Sequence, residues 1–355
     1  MKTVKHTAPE KIATGQCGET AAAVLPELGE TYHETLAKGI SLVVCPGKEI
    51  SWEHFLQIAP PRSIALDGLV RGVPRFSIDT LHANFNHHQD VDRLATRSTS
   101  GQVLVALKQG LLDGYQEGGY PRFNLYVNDP DQDSSLAVWL LVNHQRLTGM
   151  KSEPLLNRLI YAEDMLDTTA GAYPFEPSSS LMTELAWVFE PYVEARMSGR
   201  IQVMQGAELA NVISAVGARI TRYSLGQGGN IELDTRFDDI GGGTAWRMIK
   251  EVGFYARTGL FSKGIKAFVS FLREQDGAYH YSVGKMSPFV RFPITDIYMA
   301  LNEIEGLDPS SGVAWNGGDT IGGSPRRRGS TLPPSEVETV INKLLEKSAT
   351  IIRGT

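Results

Sequence analysis

Apolar residues are grouped along this chain in two alternating patterns. Short runs at residues 40–45, 63–66, 76–78, 84–85 and 123–127 have the length and texture of strands. Between and after them, amphipathic spacing predicts helices over 100–112, 134–147, 153–166 and 180–195. Ahead of these, residues 1–36 read as a polar start followed by a helical patch over 19–36, broken by Pro26. Around Gly199 the texture changes. A helix is predicted over 207–225, followed by glycine-rich turns at 226–229 and 241–243 and an apolar run at 246–254. A hairpin over 265–273 and 278–283 is turned by Asp276-Gly277. A helix over 297–305, a glycine-rich loop over 308–331 and a helix over 334–347 complete the pattern. Strands alternating with helices argue for an α/β fold, with a mainly parallel sheet flanked by helices and a second, smaller α+β domain.

Composition narrows the function classes. A chain of 355 residues favours about two domains. The net charge is −6, whereas a grip on long duplex DNA needs a basic excess, so a small or short anionic ligand is expected instead. Two isolated cysteines, Cys17 and Cys45, imply a reduced, cytoplasmic setting. The first residues carry charge but no apolar run, so no secretory signal is expected. The longest apolar stretch, 136–142, is too short to span a membrane.

Candidate chemistry gathers where strand-like runs end, the place where open α/β sheets collect ligands. Asp67 ends the run 63–66 and precedes Gly68; a turn residue is the plain reading. His87 and His88 follow Asn86 after the run 84–85. In an extended segment they point to opposite sides, so one could ligate a metal while the other faces a substrate. Asp129, Asp131 and Asp133 alternate between a strand and a helix, as a hard-cation site would require. An EF-hand loop is excluded because Ser134 and Leu140 stand where it needs Gly and Glu. A helix cap would need only one of the three carboxylates. Asp164 and Asp167 end an apolar helix, where carboxylates are disfavoured. Finally, Gly317, Gly318, Gly322, Gly323, Ser324, Pro325, Arg326, Arg327 and Arg328 combine flexible backbone amides with cations. A solvated polar loop is the alternative, and no Gly-Lys-Ser/Thr follows to make a Walker loop.

Together these residues resemble the DHH superfamily of metal-dependent phosphoesterases over roughly residues 38–345. Asp67 is similar to the family's lone Asp at a strand end, and Asn86-His87-His88 to its Asp-His-His signature. Residues 97–103 are similar to the helix after that signature, Asp164 (with Asp167 second) to the further Asp, and the 317–330 loop to the C-terminal glycine motif. Asp129, Asp131 and Asp133 resemble the His-x-Asp-x-Asp motif, with Asp in place of His and in the reverse chain order, which implies a permuted sheet or a different match. Asn86 stands where the family has Asp, and the glycine loop has no histidine.

The resemblance implies an N-terminal segment over 1–37, a DHH-like metal-binding domain over 38–200 and a DHH-associated, substrate-binding domain over 205–348. It further implies two ions, Mn²⁺ or Mg²⁺, on Asp67, His87, Asp129, Asp131, Asp133 and Asp164, with His88 and Asp133 as catalytic groups. Gly322, Gly323, Ser324, Arg326, Arg327 and Arg328 would hold the substrate. The expected activity is hydrolysis of a short oligonucleotide or a linear or cyclic dinucleotide by a two-metal mechanism. The alternatives are a nucleotide-sensing protein with weak or no turnover, motivated by Asn86 and Asp129, and a hydrolase acting on a non-phosphate substrate. The expected partner is a small phosphorylated or short nucleic-acid substrate, not a membrane; homodimerisation is left open.

Overall fold

The computed structural model describes residues 28–353 except Gly312 and Arg327, with the backbone alone over 348–353. Cys17 and residues 19–27 of the expected N-terminal helix therefore lie outside the described residues.

The first half runs β1 (Tyr32–Ala37), β2 (Ile40–Val44), α1 (Trp52–Ile58), β3 (Ser63–Leu66), β4 (Arg75–Ser77), β5 (His82–Phe85) and α2 (Thr99–Lys108). It continues through the small hairpin β6 (Gln116–Glu117) and β7 (Tyr120–Pro121), then β8 (Phe123–Val127). Four helices follow: α3 (Gln132–Val142), α4 (Pro154–Thr168), α5 (Ser180–Met197) and α6 (Gly206–Ser224). The sheet order is β1-β2-β8-β3-β5-β4. The inner strands β2, β8, β3 and β5 are parallel, while β1 and β4 are antiparallel edges.

Strands covered on both faces must be apolar at successive positions, and Leu42-Val43-Val44, Ile64-Ala65-Leu66 and Leu125-Tyr126-Val127 are buried throughout. Alternate residues serve the two faces. Val43, Ala65 and Tyr126 pack with Phe55 of α1, whereas Leu42, Val44, Ile64, Leu66, Leu125 and Val127 join the core formed with α2 to α6. From β3 the chain steps to β5 on one side, then returns to insert β8 on the other side of β3. The carboxyl ends of β8, β3 and β5 thus flank the point where the strand order reverses, where a crevice opens.

The second half runs β9 (Phe237–Gly243), β10 (Trp246–Glu251), α7 (Ala256–Ser262), β11 (Ala267–Gln275), β12 (Ala278–Lys285) and α8 (Ile294–Glu305). It ends with β13 (Asn316–Gly317), β14 (Ile321–Gly323) and α9 (Pro334–Arg353). Its sheet has the order β13-β14-β12-β11-β10-β9 and is antiparallel except at β10–β11. The expected β11–β12 turn is present: Asp276 and Gly277 both take positive φ, 52° and 75°, as a two-residue hairpin requires. Trp246, Val269, Val283, Ile297, Leu301 and Ile341 form part of a core of its own. The protein is a mixed α/β structure with partly parallel sheets.

Four expectations are corrected. Residues 32–36, read as the end of a helix, form β1, because Leu42 and Val44 of β2 offer a paired edge and the side chains alternate in burial. Residues 241–243, read as a turn, are the end of β9, paired with β10. The loop over 308–331 contains β13 and β14. Helix α6, placed at the start of the second unit, buries Leu209, Ile213, Val216 and Ile220 in the core of the first sheet. No helix among the described residues is long and apolar enough to cross a membrane.

Candidate metal centre

Three loops and one helix converge at the switch point. Asp67 leaves β3 with φ 49°, in the left-handed region, followed by Gly68 at φ 85°. A non-glycine residue held there is strained, and such strain collects at functional sites. The bend turns its carboxylate into the crevice, where Oδ1 accepts from the Thr99 hydroxyl at 3.1 Å and Oδ2 from the Ser134 hydroxyl at 3.2 Å. His88 Nε2 lies 2.8 Å from Asp67 Oδ1.

Helix α2 begins inside the site, and its free amides need acceptors. Asp133 takes two of them, from Thr99 N at 2.5 Å and Ser100 N at 2.8 Å. Asp164 takes the Ser98 amide at 2.6 Å and Arg97 Nη1 at 3.1 Å. Gly101 permits this approach, since a Cβ there would stand 2.9 Å from Asp164 Oδ1. Asp164 therefore faces the start of α2. Asp167, one turn later on α4, faces His87 instead, with Oδ2 2.6 Å from His87 Nε2.

Two groups of ligand-type atoms result, each mutually within 4.8 Å: Asp67, His87 and His88, and His87, Asp133 and Asp167. These buried groups could hold a metal ion. Two observations beyond proximity fit that role. His87 Nε2 and Asp167 Oδ2 are adjacent, yet both are buried without a hydrogen-bond partner, so their bonding directions do not meet each other. Asp129 Oδ1 is likewise buried and unpaired. The donors are imidazole nitrogens and carboxylate oxygens with no thiolate, a set suited to a hard or borderline divalent ion.

The electrostatics describe a site short of positive charge. Burial alone would lower the pKa of His87, but Asp167 and Asp67 raise it to about 10. His88 is raised as well, burial being outweighed by Asp67. Burial and the fields of Asp167 and Asp67 push Asp133 up to about 7. Asp131 is raised by burial, then by Asp67 and Asp129, and Glu163 by burial, then by Asp167 and Asp133. Asp67 moves the other way: burial opposes its ionisation, but the charge and hydrogen bond of His88 and the nearby His87 hold it well below the usual carboxylate range. Protons thus occupy places that a cation would take.

The site opens into a cleft of about 1290 Å³ between the two sheets. Asp67, His88, Asp129 and Asp131 line its first wall; Gly317, Gly322, Gly323, Ser324 and Arg326 line the facing one.

The expected residues separate as follows. Asp67, His87 and Asp133 are in the ligand groups, joined by His88 and Asp167. Asp129 and Asp131 reach the cleft but not those groups, and Asp131 also caps α3 by accepting from Ser134 N at 2.8 Å. Asp164 is turned away to α2. Asp133, expected also as a catalytic group, is buried and does not line the cleft. Gly322 and Gly323 form no phosphate loop; they lie in β14 between β12 and β13. Ser324 is buried, its hydroxyl accepting from Tyr281 N at 2.9 Å. Arg326 is exposed on the cleft, Arg328 turns to Glu305 at 3.5 Å, and Arg327 lies outside the described residues. Asn86 is no ligand: its Nδ2 donates to Gly72 O at 2.9 Å, Gln89 Oε1 at 2.8 Å and Val70 O at 3.3 Å. Sequence reasoning assigned no site role to Thr99, Ser134, Glu163 or Arg93, although Thr99 lies in the 97–103 stretch and the spacing of Asp167 from Asp164 was a further usable signal.

No protein-family model matches the chain, and no curated protein matches it.

Proposed function

We propose that this protein is a metal-dependent phosphoesterase, hydrolysing a short oligonucleotide or a linear or cyclic dinucleotide with two ions of Mn²⁺ or Mg²⁺. In this reading a mainly parallel α/β domain of the DHH kind holds the ions and faces a smaller substrate-binding α+β domain. The observation that carries it is the convergence of Asp67, His87, His88, Asp133 and Asp167, side chains that could hold metal, at the carboxyl ends of neighbouring parallel strands. Asp67, His88, Asp133 and Asp167 complete the groups, and Asp129 and Asp131 stand at the cleft side. Bound ions there would supply Lewis acidity at phosphorus and a water acidic enough to ionise near neutral pH.

The chain's own residues do the rest. Thr99 and Ser134 fix the Asp67 carboxylate, which orients His88 at the cleft edge, where it meets the substrate. Arg326 supplies a cation on the opposite wall. The cleft volume exceeds the about 300–1,000 Å³ of ordinary small-molecule pockets, which supports a substrate longer than one nucleotide. The binding-only alternative keeps Asp129 as its motive, while Asn86 serves as a clamp, its Nδ2 donating to Val70 O and Gly72 O and its Oδ1 accepting from His88 N. Incubation with Mn²⁺ and a panel of dinucleotides, cyclic dinucleotides and short RNA and DNA tests the proposal. Mononucleotide release that stops on chelation is expected; stoichiometric retention of a ligand without product would favour the sensor.

A further inference from the structure

Among the described residues, three arginines line the cleft: Arg93, Arg257 and Arg326. Arg257 is paired with Glu251 at 2.9 Å, and Arg326 stands on the wall formed by the second sheet. Arg93 is the one at the metal end. It lies in the segment between β5 and α2, five residues beyond His88, and makes no ion pair among the described residues although Asp90 and Asp92 are close in sequence. Its Nη2 lies 3.4 Å from His87 Nδ1, a long contact, and its Nε is buried without a partner.

A guanidinium left this way is unusual. Its five N–H groups form a planar fork that suits two oxygens of one carboxylate or phosphate, and a buried donor without an acceptor is unfavourable. Among the described residues no carboxylate of the ligand groups pairs with Arg93: Asp67 is held by His88, Thr99 and Ser134, Asp133 by the amides of α2, and Asp167 lies beside His87. An anion entering the cleft is an acceptor that fits the fork.

We propose that Arg93 contacts the substrate, gripping non-bridging oxygens of the phosphoryl group that sits at the metal end of the cleft. This leaves Arg326 for a second anionic group on the same substrate, so the favoured class carries two phosphates along its length. The proposal rests on the phosphoesterase reading and adds to it a residue that no motif marks.

Calorimetric titration of the Mn²⁺-loaded protein with a nucleoside 5′-monophosphate and with inorganic phosphate tests it, alongside a titration of the metal-free protein with Mn²⁺. Arg93→Gln should weaken both anions about tenfold or more, the loss of at least one charge-assisted contact, and leave Mn²⁺ affinity unchanged. Arg93→Lys, which keeps the charge and the stem but not the fork, should show a smaller loss. Anion affinity equal to wild type in both variants overturns the proposal. So does a parallel fall in Mn²⁺ affinity, which would make Arg93 a support for His87 alone. Wild-type protein that binds Mn²⁺ but neither anion defeats the phosphoesterase reading itself, and the proposal with it.

Discussion

Single side chains decide which acidic residues serve the site. Asp164 and Asp167 sit about one turn apart on α4, and each has a different partner. Asp167→Asn is expected to abolish or sharply weaken Mn²⁺ binding with the fold intact. Asp164→Asn should keep the metal but lose stability, by about 1–3 kcal/mol, because the start of α2 would lose a charged acceptor. Urea unfolding and a Mn²⁺ titration of both variants separate the two; equal metal loss in each would contradict the assignment. Asn86 reverses a simple expectation. Restoring the family's Asp there would set a carboxylate against Val70 O, Gly72 O and Gln89 Oε1. Asn86→Asp should therefore lower the melting temperature without raising activity, and an unchanged melt would show that the amide clamp contributes nothing. The sign of the pH response follows from the same residues. In the metal-free protein His87 titrates at about 10 against 6.5 in the unfolded chain, so its contribution is complete below 6.5 and disappears as pH rises through 10. Asp133, raised to about 7 from 3.8, loses its contribution between those values. The melting temperature of the metal-free protein should fall from neutral pH to pH 10, while Mn²⁺ affinity rises as ligand atoms shed their protons. Scans across that range check both; a melting temperature that rises with pH would contradict the charge assignment.

Strands and helices were legible in the sequence to different degrees. The runs at 63–66 and 123–127 match β3 and β8 residue for residue, because strands covered on both faces are mainly apolar, here with only Ser63 and Asn124 polar, and polar residues bound them. That also placed Asp67 and the Asp129–Asp133 stretch at strand ends. The strand β1 was not legible: Tyr-His-Glu-Thr-Leu-Ala is an edge strand with one face half exposed, and its pairing with β2 is a tertiary fact. Nor could spacing choose between Asp164 and Asp167, since the rotation of α4 is set by the burial of Leu156, Leu159, Ile160 and Leu166. The glycines at 317–323 had the composition of a phosphate loop, but they serve close packing. A Cβ on Gly322 would come within 2.1 Å of the Tyr298 hydroxyl and 2.4 Å of Asn316 O. Gly322→Ala should separate β13 from β14 and destabilise the second sheet, as read by hydrogen exchange at Ser282–Gly284, the facing residues on β12. Unaltered protection there would show that the strand tolerates the side chain.

The two sheets make a cleft that sets Asp67, Asp129, Asp131 and Arg93 on one wall and Arg257, Asp319 and Arg326 on the other, and this juxtaposition was the least legible feature. It depends on how the halves dock, which no local pattern encodes. The run Arg326–Arg328 illustrates the loss of detail: Arg326 reaches the cleft, while Arg328 turns to Glu305. Arg326→Ala should raise KM for a dinucleotide about tenfold, with Mn²⁺ binding unchanged, because it removes binding common to ground and transition states. Arg328→Ala, which removes a 3.5 Å contact to the buried side chain of Glu305, itself keeping its bonds from Trp315, Ser330 and Thr331, should change stability by about 0–1 kcal/mol and leave KM alone. Steady-state kinetics of both variants distinguish the residues; equal effects would mean the cleft wall is drawn wrongly. The most direct measurement is anomalous scattering from crystals soaked in Mn²⁺. Two manganese peaks should appear among Asp67, His87, His88, Asp133 and Asp167, with a carboxylate and not His87 shared between the ions. A protein that takes up no manganese there, or holds it only at surface carboxylates, would contradict the metal centre and the function built on it.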